Sequence, residues 1–129
     1  MKKKIVGPEI MLTEELILCE VECPDGYIPG DGKVHLHDCF KTAWNYVVDI
    51  SSLGTPINAW LVHGKINVYA DIDHAWVELD NEVVFDGVLQ RFYKKDCYYR
   101  IKKAKKIAIW SAVNATVNFT RFKHYGPWY

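Results

Sequence analysis

Charge of one sign is the first thing this chain lacks: sixteen Lys+Arg face sixteen Asp+Glu, for a net charge of zero. A protein that holds nucleic acid or an anionic membrane through bulk electrostatics carries a basic surplus, so neither partner is expected. Long hydrophobic runs are missing too, and nothing approaches the ~18 uninterrupted apolar residues of a membrane span. Met1-Lys2-Lys3-Lys4 has the basic start of an export signal, but Gly7, Pro8 and Glu9, then Glu14 and Glu15, break the apolar stretch that ought to follow. Secretion is therefore not expected, and a cytoplasmic location is. There is no internal repeat and no low-complexity linker, which leaves one domain over residues 1–129. Cysteine is scarce, with four residues at 19, 23, 39 and 97. A chain of this length builds a sufficient core without cross-links, so free thiols are expected and one of them is available for chemistry.

What is present is an ordinary globular balance, half hydrophobic and a quarter charged, enriched in Trp and Tyr. Glu14 to Glu22 carries Leu16, Ile17, Leu18 and Val21 and stops at Pro24-Asp25-Gly26, which predicts a strand running into a turn. The stretch onward to Lys33 is dense in Pro, Gly and Asp and predicts a loop. After an extended piece, Val34 to His37, the period changes. Phe40, Ala43, Trp44, Val47 and Val48 follow i, i+3, i+4, i+7, i+8 and predict a helix with one apolar stripe. Asp38 suits its N-cap, and Cys39 then opens the helix. Ile57–Val62, Lys65–Ala70, His74–Leu79 and Glu82–Asp86 are β-branched and aromatic, and they predict an antiparallel meander with breaks at His63-Gly64, Asp71-Ile72-Asp73 and Asp80-Asn81. Ile107–Trp110 and Thr116–Phe122 are read as strands, although Lys102–Val113 also permits a helix. The basic cluster from Lys102 to Lys106 is read as a solvated face. The aromatic tail Phe122 to Tyr129 is read as packed against the domain.

Cys39 is the best placed of the four cysteines to ionise, because backbone N–H groups at a helix N-terminus favour an anion. Asp38 beside it works the other way, so a thiolate there needs a cationic partner. In His74-Ala75-Trp76-Val77-Glu78 the period of two sets His74, Trp76 and Glu78 on one face of a strand. A histidine within hydrogen-bond reach of a thiol can take its proton and later return it to a leaving group. Asp86 follows at the end of the next strand, just before Gly87. A three-residue loop, Leu79–Asn81, with Asn81 left-handed pairs His74 directly with Asp86 on one face. A two-residue loop at Asp80-Asn81 pairs His74 with Gly87 and turns Asp86 to the opposite face. A triad therefore requires the longer loop or a bulge, with the carboxylate holding one imidazole tautomer and favouring its charged form.

Cys39-Phe40-Lys41-Thr42-Ala43-Trp44 at a helix start, His74-Ala75-Trp76-Val77-Glu78 on a strand and Val83-Val84-Phe85-Asp86-Gly87 after it resemble the core of transglutaminase-like, papain-like cysteine enzymes, a superfamily that includes bacterial and phage peptidases and amidases. The resemblance spans Asp38 to about Gly87. It implies an α+β fold: an N-terminal strand and loop, then a Cys-bearing helix packed on an antiparallel sheet that carries His74 and Asp86. It also implies a peptide or amide substrate, no cofactor, and acyl transfer through a thioester on Cys39. Papain-like enzymes often place a glutamine before the nucleophile to bind the oxyanion, whereas the single glutamine here, Gln90, follows Asp86. That leaves the backbone N–H of Cys39, with His37 and Trp76 as candidates for the second donor. The short connections omit the insertion common in transglutaminases proper, which points to hydrolysis over cross-linking.

Two other readings belong to different classes. The same fold can serve as a binding or adaptor module without turnover. Cys19 and Cys23, with His35 and His37, also form a ligand inventory compatible with zinc, although the Cys-x-x-x-Cys spacing matches a structural site poorly.

Overall fold

A computed structural model describes residues 13–67 and 70–129. The basic start at Met1–Lys4 and the residues Val68 and Tyr69 of one expected strand lie outside the described residues. The chain is α+β, with four helices and one six-stranded antiparallel sheet in the described part.

The expected first strand is mostly a helical turn. Thr13 accepts a hydrogen bond from the Leu16 N–H at 3.1 Å, and Glu14 and Glu15 occupy the electropositive first turn of α1 (Glu14–Leu18). Leu16 is fully buried while Leu18 is 83% exposed, which is why an alternating strand pattern fails here. Only β1 (Glu20–Val21) is extended.

The amphipathic helix is present as α2 (Cys39–Ser52), with Cys39 in its first position. Asp38 stands at the N-cap but its carboxylate does not bond the first turn; its carbonyl accepts from Thr42 instead. The strands are β2 (Ala59–Asn67), β3 (Asp71–Leu79), β4 (Val83–Asp86) and β5 (Arg91–Lys94), followed by α3 (Lys95–Lys102), β6 (Lys105–Trp110) and α4 (Ala112–Phe122). The sheet order is β1-β5-β4-β3-β2-β6. His63-Gly64 is not a break, and β2 runs through it. A Cβ at Gly64 would collide with the carbonyl of Lys105, so glycine is what lets β6 close on β2 at the irregularity between His63 and Gly64.

Thr116–Phe122 is helical as part of α4, not a strand. Ser111 caps it by accepting from the Asn114 N–H at 3.2 Å, while Ala115 and Phe119, one turn apart, dock on Trp44 of α2. That packing outweighs the β preference of Val113, Thr116, Val117 and Thr120.

Alternation along β3 divides the core. Ala75 and Val77 face α2, where Ala43, Tyr46, Val47 and Ile50 meet Leu61 and Phe85, and Tyr46 stacks on Phe85 at 4.0 Å. Trp76 faces the other way, into a second cluster with Leu16, Val62, Ile66, Val84, Tyr93 and Tyr98. Helices thus cover both faces, and the run from His74 to Leu79 is buried throughout. Lys102 is 1% exposed, so the expected solvated basic face starts only after it. The tail packs as expected: Trp128 lies 5.1 Å from Trp110 and Tyr125 lies 5.3 Å from Trp44.

Cys19 and Cys97 form a disulfide, contrary to the expectation of four free thiols, and they leave Cys23 and Cys39 unpaired with each other or with any other cysteine. Cys19 is not within a strand; it ends α1, and α1 lies against α3, which carries Cys97. The cross-link removes one thiolate from the zinc reading, and among the described residues no group of three His, Cys, Asp or Glu could hold a metal. No described helix is long and apolar enough to cross a membrane. The closed loop spans 78 positions, so exchanging both cysteines for serine should lower the unfolding free energy by about 2–4 kcal/mol. Urea titration measures this, and an unchanged midpoint would show that the bond contributes nothing to the fold.

Candidate active site

Asp86 is the last residue of β4, and its Oδ1 accepts from the backbone N–H groups of Val88 at 3.0 Å and Leu89 at 3.1 Å. The carboxylate thereby orders the turn that follows it. Gly87 in that turn has no side chain, and a Cβ there would strike Thr42 in the first turn of α2. Glycine thus admits the N-terminus of α2 to the end of β4, where β4 stops pairing with β3. Cys39 reaches the second core cluster at this point, beside Trp76, Val84, Val88 and Tyr98.

The hairpin register differs from both expected forms. Val77 pairs with Phe85 and Glu78 with Val84, and Asp80–Glu82 form the loop with Asn81 left-handed at φ 65°. Asp86 is therefore diagonal to His74, not opposite it, but it stays on the same face and within reach. Oδ2 of Asp86 lies 3.5 Å from Nε2 of His74. Both side chains are fully buried, and Cys39 is 6% exposed.

His74 stands between the two predicted partners. Burial opposes its charge, but hydrogen bonding and charge from Asp86 and Cys39 outweigh burial and raise its pKa from 6.5 to about 9. Nδ1 closes no hydrogen bond, although Cys39 stands near enough to help raise the ring's pKa. Burial also opposes the charge of Asp86, yet His74, the positive charge of Lys102 and the Tyr98 hydroxyl together hold its carboxyl below the usual range. The arrangement favours an imidazolium between a carboxylate and a thiol.

The other two residues of His-x-Trp-x-Glu do different work. The Trp76 indole donates to the Tyr99 hydroxyl at 3.1 Å, and Tyr99 in turn donates to Glu78. Glu78 is further held by Lys106 at 3.0 Å and Lys95 at 3.5 Å. Trp76 is thus committed to this network, and its indole N–H is not free to donate elsewhere. His37 is exposed, in a left-handed conformation at φ 64°, two residues before Cys39. The backbone N–H of Cys39, in the first turn, has no partner within the helix ladder.

Two residues here escaped the sequence reading. Tyr98 donates to Oδ2 of Asp86 at 2.7 Å, and its oxygen lies 3.4 Å from Nε2 of His74. Lys102 stands one turn further along α3. Spacing of four on a helix would have put both on one face, but the Tyr-rich stretch gives no clear helical period and a lysine is rarely buried.

The C-terminal segment closes one side. The Tyr129 hydroxyl donates to Oδ1 of Asp73 at 2.6 Å and lies 3.1 Å from the carbonyl oxygen of Gly64, the residue paired with His74. Beneath it, His63 is enclosed by Phe40, Trp110 and Trp128, with neither ring nitrogen hydrogen-bonded. Comparison with family models, curated proteins and solved structures gives no match.

Burial lowers the pKa of His63 from 6.5 to about 4. The unfolded chain takes up that proton first as pH falls from 6.5 toward 4, so the fold loses up to roughly 3 kcal/mol across this window and nothing above it. His74 has the opposite sign: its contribution is complete below pH 6.5 and is lost as pH rises through about 9. In urea titrations at several pH values, His63→Phe should flatten the acid limb. An acid limb of unchanged slope in that variant would place the loss elsewhere.

Proposed function

We propose that the chain is a cysteine-nucleophile hydrolase or acyltransferase acting on peptide or amide bonds. The observation that carries this reading is the position of His74, between Asp86, whose Oδ2 lies 3.5 Å from its Nε2, and Cys39, whose proximity helps raise its pKa. With the proton on His74, the Cys39 sulfur attacks the carbonyl carbon and the carbonyl oxygen takes the negative charge, facing the free N–H of Cys39. The carbon–nitrogen bond then breaks as His74 gives its proton to the departing amine, leaving an acyl-thioester. Water, deprotonated by His74, attacks the thioester; the acid leaves and the thiol is restored. An amine in place of water gives transfer. No cofactor enters these steps, and neither nucleic acid nor a membrane is part of the reading. A transglutaminase-like ancestry and a cytoplasmic location belong to the same proposal, and in a reducing compartment the Cys19–Cys97 bond would be exposed to thiol exchange.

A second reading has its own support. The reacting groups are closed from solvent, and Tyr129 sits against the strand position next to His74, which suits a domain that retains the constellation but works as a binding module.

Cys23 provides an internal control, because burial and the charge of Asp25 push its thiol up. At pH 6 iodoacetamide should alkylate Cys39 at least about tenfold faster than Cys23, since a free thiol near pKa 8.5 is well under 1% thiolate there. His74→Ala should abolish the difference. Equal and slow labelling of both thiols, followed by peptide mass mapping, would favour the binding module.

A further inference from the structure

Oδ1 of Asp86 is fully engaged by two backbone N–H groups, so only Oδ2 is left to act on His74. Oδ2 is shared. Tyr98 donates to it at 2.7 Å, a well-formed bond, whereas Nε2 of His74 stands off at 3.5 Å. The nearest competitor of the imidazole for its own carboxylate is therefore a fully buried hydroxyl. Tyr98 is fixed from two sides: its ring packs on Tyr93 at 5.6 Å, and its neighbour Cys97 is bonded to Cys19.

We propose that Tyr98 is a positioning residue of the candidate site, whose hydroxyl competes with His74 for Oδ2 of Asp86 and so limits how firmly the carboxylate holds the imidazolium. This rests on the acyl-transfer reading for its catalytic meaning. His74 must release a proton to the leaving group, and a ring held too tightly in its charged form is a weak acid. With Tyr98 in place the pair stays long; without it, Oδ2 is free to close on Nε2 while the backbone bonds keep Oδ1 where it is. The charged and titratable groups around the site are Cys39 from α2, Asp86 from β4, Tyr93 from β5, Tyr98 and Lys102 from α3, and Tyr129 from the tail. Tyr98 touches both members of the Asp86–His74 pair.

The test is the titration of the His74 ring, followed by proton–carbon NMR on the intact chain and assigned by comparison with His74→Asn. Tyr98→Phe keeps the ring and removes the hydroxyl, and it should raise the His74 midpoint by about 0.5 unit or more. Site-specific replacement of Tyr98 by 3-fluorotyrosine, a stronger donor of the same shape, should lower it, and this arm serves if the Phe variant does not fold. A midpoint that stays or moves the other way in a folded variant overturns the proposal, even if Cys39 accepts acyl groups. Movement in the expected directions in a protein whose Cys39 no acyl electrophile modifies upholds the role of Tyr98 and removes the acyl-transfer reading.

Discussion

Oδ1 of Asp86, accepting from Val88 and Leu89, is the contact on which the site depends, because it converts the end of a strand into a turn at a fixed place. A carboxylate with no exposure is costly to bury unless every lone pair is used. Here two backbone donors, the Tyr98 hydroxyl and the His74 ring meet that demand, and Lys102 supplies positive charge in the same region. The turn fixes Gly87, and the missing side chain of Gly87 admits Thr42 and with it the first turn of α2. Cys39 stands next to His74 because of this sequence of contacts, in which a polar group in the core determines where a helix begins to pack.

The two faces of the sheet divide the work. α2 packs on the Ala75 and Val77 face through an apolar stripe, with volume complementarity as its main requirement. The opposite face holds the polar groups: His74, Trp76 and Glu78 of β3 all point toward elements closed by α3. Cys39 crosses between these regions because it lies where β4 has ended. The disulfide strengthens the second face, where a buried network of tyrosines, carboxylates and a lysine leaves less apolar area to hold α1 and α3 together.

How much of this was legible in the sequence follows from where its information lay. α2 was readable from Phe40, Ala43, Trp44, Val47 and Val48 because burial on one side imposes a period, and the side of β3 that bears His74 was readable from the alternation of side chains along a strand, although both of its faces are buried. The shared face of His74 and Asp86 was readable as one of two registers, but the actual register, two residues further along, depended on a turn at Asp80–Glu82 with two left-handed residues. α1 and α4 were misread because short β-branched or Leu-rich stretches carry a weak local preference that Thr13, Ser111 and the docking of Ala115 override. Tyr98, Lys102 and the Cys19–Cys97 bond were invisible for a common reason. Each has meaning only through residues far away in the chain, and nothing local marks a tyrosine as the partner of an aspartate twelve positions before it.

Closure of the site and the strength of its charges have one cause. Removing water from around Asp86 and His74 lowers the local dielectric, which enlarges both the cost of the charges and their hold on each other. His74 shows the balance, with burial pulling its proton affinity down and Asp86 and Cys39 pulling it up by more. An open cleft of the same residues would hold a weaker pair. The aromatic segment around Trp128 and Tyr129 packs against the cluster on the Ala75 face, on His63 and Trp110. Its two attachments differ, since Tyr129 is held by a hydrogen bond near the surface while Trp128 is packed on His63 and Trp110. Freeing Tyr129 costs one exchangeable hydrogen bond to Asp73, whereas freeing Trp128 exposes His63 and its apolar enclosure. Release of Tyr129 alone is therefore the less costly local opening of this segment, and it begins beside Gly64, the strand position paired with His74.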